Sequence, residues 1–194
     1  MKILGIVGSP RKGGNTEILV REALAGAAES GAETELVLVA GKSIAPCDGC
    51  GACSETGICK IKDDMQPIYR QLESADGVIF GTPVYFINVT AQAKAIMDRT
   101  YAFLGTRKLR GKVAAAIVAA RRVGAGQTLS LLYTYFTAQR MLIAGGGIGY
   151  GSGKGEVKKG TGGSPTLSAL EEARAVGRNV SWMVERFAQG KRQS

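Results

Sequence analysis

Short apolar runs alternate along this chain with longer stretches in which apolar residues recur every three or four positions. The runs at 2–7, 35–39, 77–80, 113–119 and 141–144 predict five strands. Helical periodicity covers 15–30, with Ile18, Leu19, Ala23 and Ala27 on one face and Gly31 just past its end. Further helices are predicted over 65–74, 90–104 and 127–138. A last one opens at Ser164-Pro165, with Ser as N-cap and Pro at the first helical position, and runs to 188. It should bury Leu167, Leu170, Val180, Val184 and Phe187. Glycine and lysine dominate 145–163, which reads as a loop, hairpin or arm.

Apolar strands alternating with helices imply a parallel α/β sheet covered on both faces. Such sheets bind ligands outside the carboxyl ends of their strands, near the point where strand order reverses. The loops there are 8–14, 40–60, 82–89, 120–126 and the glycine-rich stretch. At 194 residues, with no internal repeat, the expectation is one domain over 1–194.

Composition narrows the setting. The opening apolar run is broken at Gly8-Ser9-Pro10, too early for an export signal, and no later run reaches the roughly 18 apolar residues of a membrane span. The expectation is a cytoplasmic protein with no membrane partner. A formal net charge of +9 suits anionic cofactors and acidic electron carriers. Lys and Arg are dispersed and accompany no DNA- or RNA-binding motif, which argues against a nucleic-acid partner.

All four cysteines, Cys47, Cys50, Cys53 and Cys59, fall in one short polar loop at 46–60, and the chain has no histidine. Three of them follow at three-residue steps, a compact start like that of bacterial ferredoxin runs that hold iron–sulfur clusters. Gly49 and Gly51 let the backbone curl around such a group. Zinc is the main alternative, although zinc modules usually bring two separated knuckles to one ion. Two disulfides or four inert thiols fit this large, polar-looped chain less well.

The turn after the first strand reads Gly8-Ser9-Pro10-Arg11-Lys12-Gly13-Gly14-Asn15-Thr16. Hydroxyls, a guanidinium and a following helix N-terminus suit a phosphate. The lysine of a P-loop is missing, and no G-x-G-x-x-G occurs despite 28 glycines. That leaves a mononucleotide flavin, or a plain capped helix start with Asn15 or Thr16 as cap.

This loop together with Gly81-Thr82-Pro83-Val84-Tyr85 resembles the NAD(P)H-dependent FMN reductase superfamily. The cysteine array narrows the resemblance to the iron–sulfur flavoproteins of anaerobic archaea and bacteria. The resemblance implies a flavodoxin-like, doubly wound sheet of five parallel strands, with the cysteine loop after the second. It implies that Ser9, Arg11, Gly14, Asn15 and Thr16 surround the FMN phosphate. Thr82, Pro83, Val84, Tyr85 and Phe86 would flank the isoalloxazine ring. The segment 120–126, with Ala120, Arg121, Gly124 and Gly126, would close its other edge. Cys47, Cys50, Cys53 and Cys59 would bind a 4Fe–4S cluster. Where such proteins carry a Gly-Gly-Gln-Glu-like run, this chain reads Gly124-Ala125-Gly126-Gln127-Thr128, and Arg121-Arg122 before it suit an anionic substrate.

The resulting expectation is an electron-transfer flavoprotein, a flavin-dependent oxidoreductase with no acid–base catalytic residue. Reduced ferredoxin or a similar acidic carrier would be the donor, and the assembly a homodimer or homotetramer with one subunit's cluster facing another's flavin. Two alternatives stand beside it. One is a cluster-free NAD(P)H-dependent FMN or quinone reductase with zinc or no metal on the cysteine loop. The other is a redox-sensing or partner-binding protein without turnover.

Overall fold

In the computed structural model, which describes residues 1–163 and 167–190, five strands lie parallel in the order β2-β1-β3-β4-β5. They are β1 (Lys2–Val7), β2 (Glu33–Leu38), β3 (Gly77–Pro83), β4 (Val113–Ala120) and β5 (Leu142–Tyr150). The helices between them are α1 (Asn15–Glu29), α2 (Met65–Ser74), α3 (Ala91–Arg99), α4 (Ala125–Ala138) and, after β5, α5 (Ala169–Gly190). Strand order reverses at β1, whose Val7 pairs with Leu38 on one side and Gly81 on the other. The loops that leave β1 and β3 therefore flank a crevice at the carboxyl edge.

The two-residue period of the strands builds a core on each face. Leu4, Ile6, Val78 and Phe80 point to the side covered by α2, α3 and α4, where Ile68, Ile96, Leu132 and Phe136 meet them. Ile3, Val7, Ile79 and Ile117 point to the other side, against Leu19, Val20 and Leu24 of α1 and Val180 of α5. Each large apolar side chain so buried contributes about 1.5–3 kcal/mol. β4 is buried at every residue and is mostly alanine, which lets helices approach a doubly covered central strand.

Helices α1 and α5 touch backbone to backbone. A Cβ on Gly177 would lie 1.7 Å from the Ala23 carbonyl oxygen, and one on Gly26 2.1 Å from that of Arg174. Arg174 then bridges Glu22 and Glu29 at 2.6 Å each, locking the same crossing from outside.

Three expectations need correction. The fifth strand does not stop at 144 but runs to Tyr150, because Gly146 and Gly149 within it sit against bulky neighbours. A Cβ on Gly146, for instance, would meet Leu129, Tyr133 and the Ala116 carbonyl. Ser164-Pro165 lies outside the described residues, and the last helix begins at Ala169. There Ser168 and Glu171 form a reciprocal capping box: the Glu171 amide donates to the Ser168 hydroxyl at 3.3 Å and the Ser168 amide to the Glu171 carboxylate at 2.9 Å. Leu167 and Phe187 are exposed, whereas Val180 and Val184 are buried as the periodicity requires. Among the described residues, no helix is long and apolar enough to cross a membrane.

Candidate functional site

Loop 8–14 leaves β1 and delivers its backbone to the start of α1. Ser9 is buried, and its hydroxyl accepts a hydrogen bond from the Arg11 amide at 3.2 Å, folding the loop back on itself. Gly14 sits at the N-cap with no side-chain cap, so the helix's first amides are open to a ligand. Beneath them, Glu17 accepts from the Gly13 amide at 2.7 Å. Burial works against the Glu17 charge, but the Gly13 amide, Arg21 and Lys154 together hold its carboxyl below the ordinary value.

The loop after β3 faces it. Thr82 is fully buried, and its hydroxyl donates to the Pro83 carbonyl at 3.0 Å and accepts from the Thr90 amide at 3.3 Å. The Thr90 hydroxyl donates to the Gly8 carbonyl and accepts from the Ala93 amide at 3.0 Å, capping α3. One pair of threonines thus ties the two loops to each other. Beyond Thr82 the chain turns tightly. Tyr85 and Asn88 exchange backbone hydrogen bonds at 2.9 and 3.1 Å around Phe86 and Ile87, both at positive φ.

Between these loops lies a cavity of about 300 Å³. Ser9, Arg11, Gly14, Asn15 and Thr16 form one wall, Pro83, Val84 and Tyr85 another, and Arg121 with Ala119 a third. The other predicted residues do not line it. Thr82 shapes the loop from below, and buried Ala120 accepts from the Gly151 amide at 3.0 Å. Phe86 projects wholly into solvent. Gly124 is the N-cap of α4, and Gly126 lies on that helix with open space around it.

Residues 151–154 form the fourth wall, which the sequence reading did not assign to the site. Asn15 holds that segment in place: its Nδ2 donates to the carbonyls of Gly153 at 3.0 Å and Gly151 at 3.4 Å. Its Oδ1 accepts from the Gly155 amide at 2.8 Å. Glu156 adds acceptors for the Ser152 and Gly153 amides at 2.8 and 2.7 Å. Lys154 is thereby carried to loop 8–14, where a Cβ on Gly13 would come within 3.4 Å of its Cε. The available signal was position: a lysine-bearing glycine run just past a strand's carboxyl end.

The second centre is the segment between β2 and α2. Cys47 and Cys50 are exposed and Cys53 and Cys59 half-buried, and all four line one cavity of about 470 Å³ with Arg99, Tyr101 and Ala102. Gly49, Gly51 and Gly57 take positive φ there, which lets the loop wind around that space. Asp48 accepts from the Cys50 amide at 3.2 Å and pairs with Lys60 at 3.3 Å. Burial pushes the Cys53 thiol up against the pull of a backbone hydrogen bond, and neighbouring Cys59, Cys47 and Cys50 push it further. Among the described residues, no three His, Cys, Asp or Glu side chains converge on a single-ion site. The four thiols share the lining of this one cavity.

Among the described residues, none lines both cavities. They nevertheless share an edge, since their loops follow the adjacent strands β1 and β2.

Comparison with known proteins sets this geometry in context. The profile of the NADPH-dependent FMN reductase family matches residues 1–153. An iron–sulfur flavoprotein of Methanocaldococcus jannaschii is 41% identical over 195 positions, covering 95% of this chain and 98% of its own. One from Archaeoglobus fulgidus is 38% identical over 193 positions, covering 96% and 95%. Among solved structures, RosB with a bound 8-demethyl-8-formylriboflavin-5′-phosphate intermediate aligns at a TM-score of 0.75 and 17% identity, over 97% of this chain and 81% of its own. A flavodoxin from the domain Archaea aligns at 0.62 and 14% identity, over 95% and 99%. These last two likenesses speak to the fold, which is flavodoxin-like.

Proposed function

Because the chain belongs to the NADPH-dependent FMN reductase family, within which it is similar to the archaeal iron–sulfur flavoproteins over nearly their whole length, we propose that it passes electrons between a 4Fe–4S cluster and FMN. As a member of that family it is a flavin-dependent oxidoreductase that binds FMN. The finer assignments are Cys47, Cys50, Cys53 and Cys59 as cluster ligands and the crevice between the β1 and β3 loops as the FMN site. A reduced ferredoxin or similar acidic carrier is the donor, and a small molecule the acceptor. The protein works in the cytoplasm as a homodimer or homotetramer, which lets one subunit's cavity face another's.

The observation that supports this reading is the pairing of two unlike cavities on one sheet edge. One carries uncapped helix amides and the cations Arg11, Arg121 and Lys154, as a phosphate requires. The other is ringed by four thiols. When bound, the cluster supplies single electrons and the flavin takes one or two, so together they couple one-electron delivery to two-electron reduction. The chain's own residues bind and orient. Arg11 and Lys154 offset the phosphate charge, Pro83 and Val84 offer the ring an apolar wall, and the threonine pair fixes the spacing of the two loops. No side chain has to carry a proton for this work.

Iron, sulfide and FMN should each be quantified in anaerobically purified protein, alongside the visible spectrum. The expected result is one FMN and four irons with matching sulfide per chain, with broad absorption beneath the flavin bands. Cys53→Ala should lose the iron and keep FMN. Flavin without iron or sulfide, or stoichiometric zinc with rapid NADPH oxidation, would overturn the reading in favour of a cluster-free reductase.

A further inference from the structure

Arg99, the last residue of α3, is 1% exposed and lines the cysteine cavity. Burying a guanidinium costs several kcal/mol unless its charge and its donors are met. Four of its five N–H groups are met, and their partners are informative. Nη1 donates to the Ala45 carbonyl at 2.9 Å and Nη2 to the Ile61 carbonyl at 3.2 Å. Those carbonyls lie just before Cys47 and just after Cys59, so one guanidinium closes both ends of the cysteine loop. Asp63 takes the remaining two donors as a fork, at 2.7 and 3.1 Å. The fifth donor, Nε–H, is buried and has no partner among the described residues.

An orphaned buried donor of this kind is uncommon. The charge is placed as unusually as the donor. Asp63 does not line the cavity, whereas Arg99 does. The carboxylates that do line it already have cations: Asp48 has Lys60 at 3.3 Å, and Asp98 has Lys94 at 2.6 Å. Both of those pairs are half-exposed and screened, while the Arg99 guanidinium is buried, where its pairing with Asp63 leaves a residual charge that water screens little.

We propose that Arg99 is a positioning residue of the cysteine loop that also sets the potential of the metal–sulfur group the loop holds. It clamps both ends of the loop, and it sets a buried guanidinium, paired with Asp63, behind the wall of the cysteine cavity. A cation near thiolates and sulfides favours the more negative, reduced state, so Arg99 raises the potential by as much of its charge as Asp63 leaves uncompensated. The inference rests on the cluster assignment above.

The test is an EPR-monitored redox titration of the as-purified protein, with the FMN potential of the same sample as an internal control. Arg99→Gln should move the cluster potential negative and leave the FMN potential in place. Asp63→Asn keeps an acceptor for the fork but unmasks the Arg99 charge, so it should move the cluster potential positive. Arg99→Lys keeps the charge without the fork. It should hold its potential nearer wild type than Arg99→Gln while losing iron several-fold faster to a chelator. If Arg99→Gln fails to fold or to keep iron, Asp63→Asn decides. Potentials unmoved in variants that retain full iron would overturn the inference alone. Wild-type protein without iron or sulfide would overturn the cluster assignment beneath it.

Discussion

The Asn15 side chain, on the first residue of α1, holds Gly153, well beyond the end of β5, by an Nδ2–H···O bond of 3.0 Å. The same amide accepts from Gly155 at 2.8 Å, so both of its ends are engaged by one distant segment. Its part in the cavity between the β1 and β3 loops is to fix the wall that carries Lys154. Asn15→Ala removes these bonds, each a net contribution of about 0.5–1.5 kcal/mol, and should weaken FMN binding by roughly tenfold. Asn15→Asp keeps the acceptor, loses the donors and adds an anion beside the phosphate, so it should bind worse than Asn15→Ala. Flavin fluorescence titration measures both, and faster proteolysis within 151–155 should accompany the loss.

Lys154 reaches the phosphate loop only because that wall is held, and its charge already acts on Glu17. Lys154→Gln should weaken FMN by about tenfold, the scale of a charged hydrogen bond, and leave riboflavin affinity unchanged. Comparing the two dissociation constants isolates the phosphate contribution. An equal loss for both flavins would mean that Lys154 supports the wall without meeting the phosphate.

Glycines that look alike along the chain should respond in opposite ways. Gly177→Ala drives a methyl group into the Ala23 backbone, where α1 cannot yield without leaving the sheet. Overpacking of that kind costs about 1–3 kcal/mol, or a fall in Tm of roughly 2–12 °C in a chain of this size. Gly126 lies on α4 with nothing near its missing Cβ. Gly126→Ala should hold or raise Tm slightly, by the roughly 0.5–1 kcal/mol that alanine gains over glycine in a helix, and should leave FMN affinity intact. Lost FMN affinity in Gly126→Ala would restore that glycine to the flavin edge where the sequence resemblance implied it.

How far the chain could be read without coordinates follows from the range of each interaction. α2 was readable to the residue and β1 likewise, because two faces of one sheet impose a strict apolar period on them. Ser168-Ala169-Leu170-Glu171 is also a local signal, a capping box, but the stronger-looking Ser164-Pro165 upstream masked it. β5 was cut short because glycine has low strand propensity, and only the Leu129, Tyr133 and Ala116 neighbours of Gly146 explain why nothing larger fits. Loop 8–14 and the four cysteines stand out in the sequence because each group is contiguous there, and each lines a single cavity. Asn15 to Gly153, and Arg99 to Ala45 and Ile61, are long-range bonds that leave no periodic trace.

One buried carboxylate, Glu17, and one partly buried, Asp63, make these contacts pH-dependent. For Asp63, burial opposes the charge, but Arg99 and the amides of Ala45 and Met65 outweigh it and hold the carboxyl below its ordinary 3.8. Glu17 is held below its ordinary 4.5 in the same way. A depressed carboxyl stabilises the fold fully above its unfolded value and loses that contribution as pH falls through the folded one. Stability should therefore be flat down to about pH 5 on this account and fall progressively below it, first from Glu17 and then from Asp63. Glu17→Gln should flatten the upper part of that fall and Asp63→Asn the lower part, each having lost its share of stability at neutral pH. Thermal melts of the FMN-bound protein between about pH 3 and 7 provide the check. A fall of equal steepness in both variants and the wild type would place the acid sensitivity elsewhere, in partly exposed pairs such as Lys2–Glu35, where Lys2 holds the carboxyl below its ordinary value.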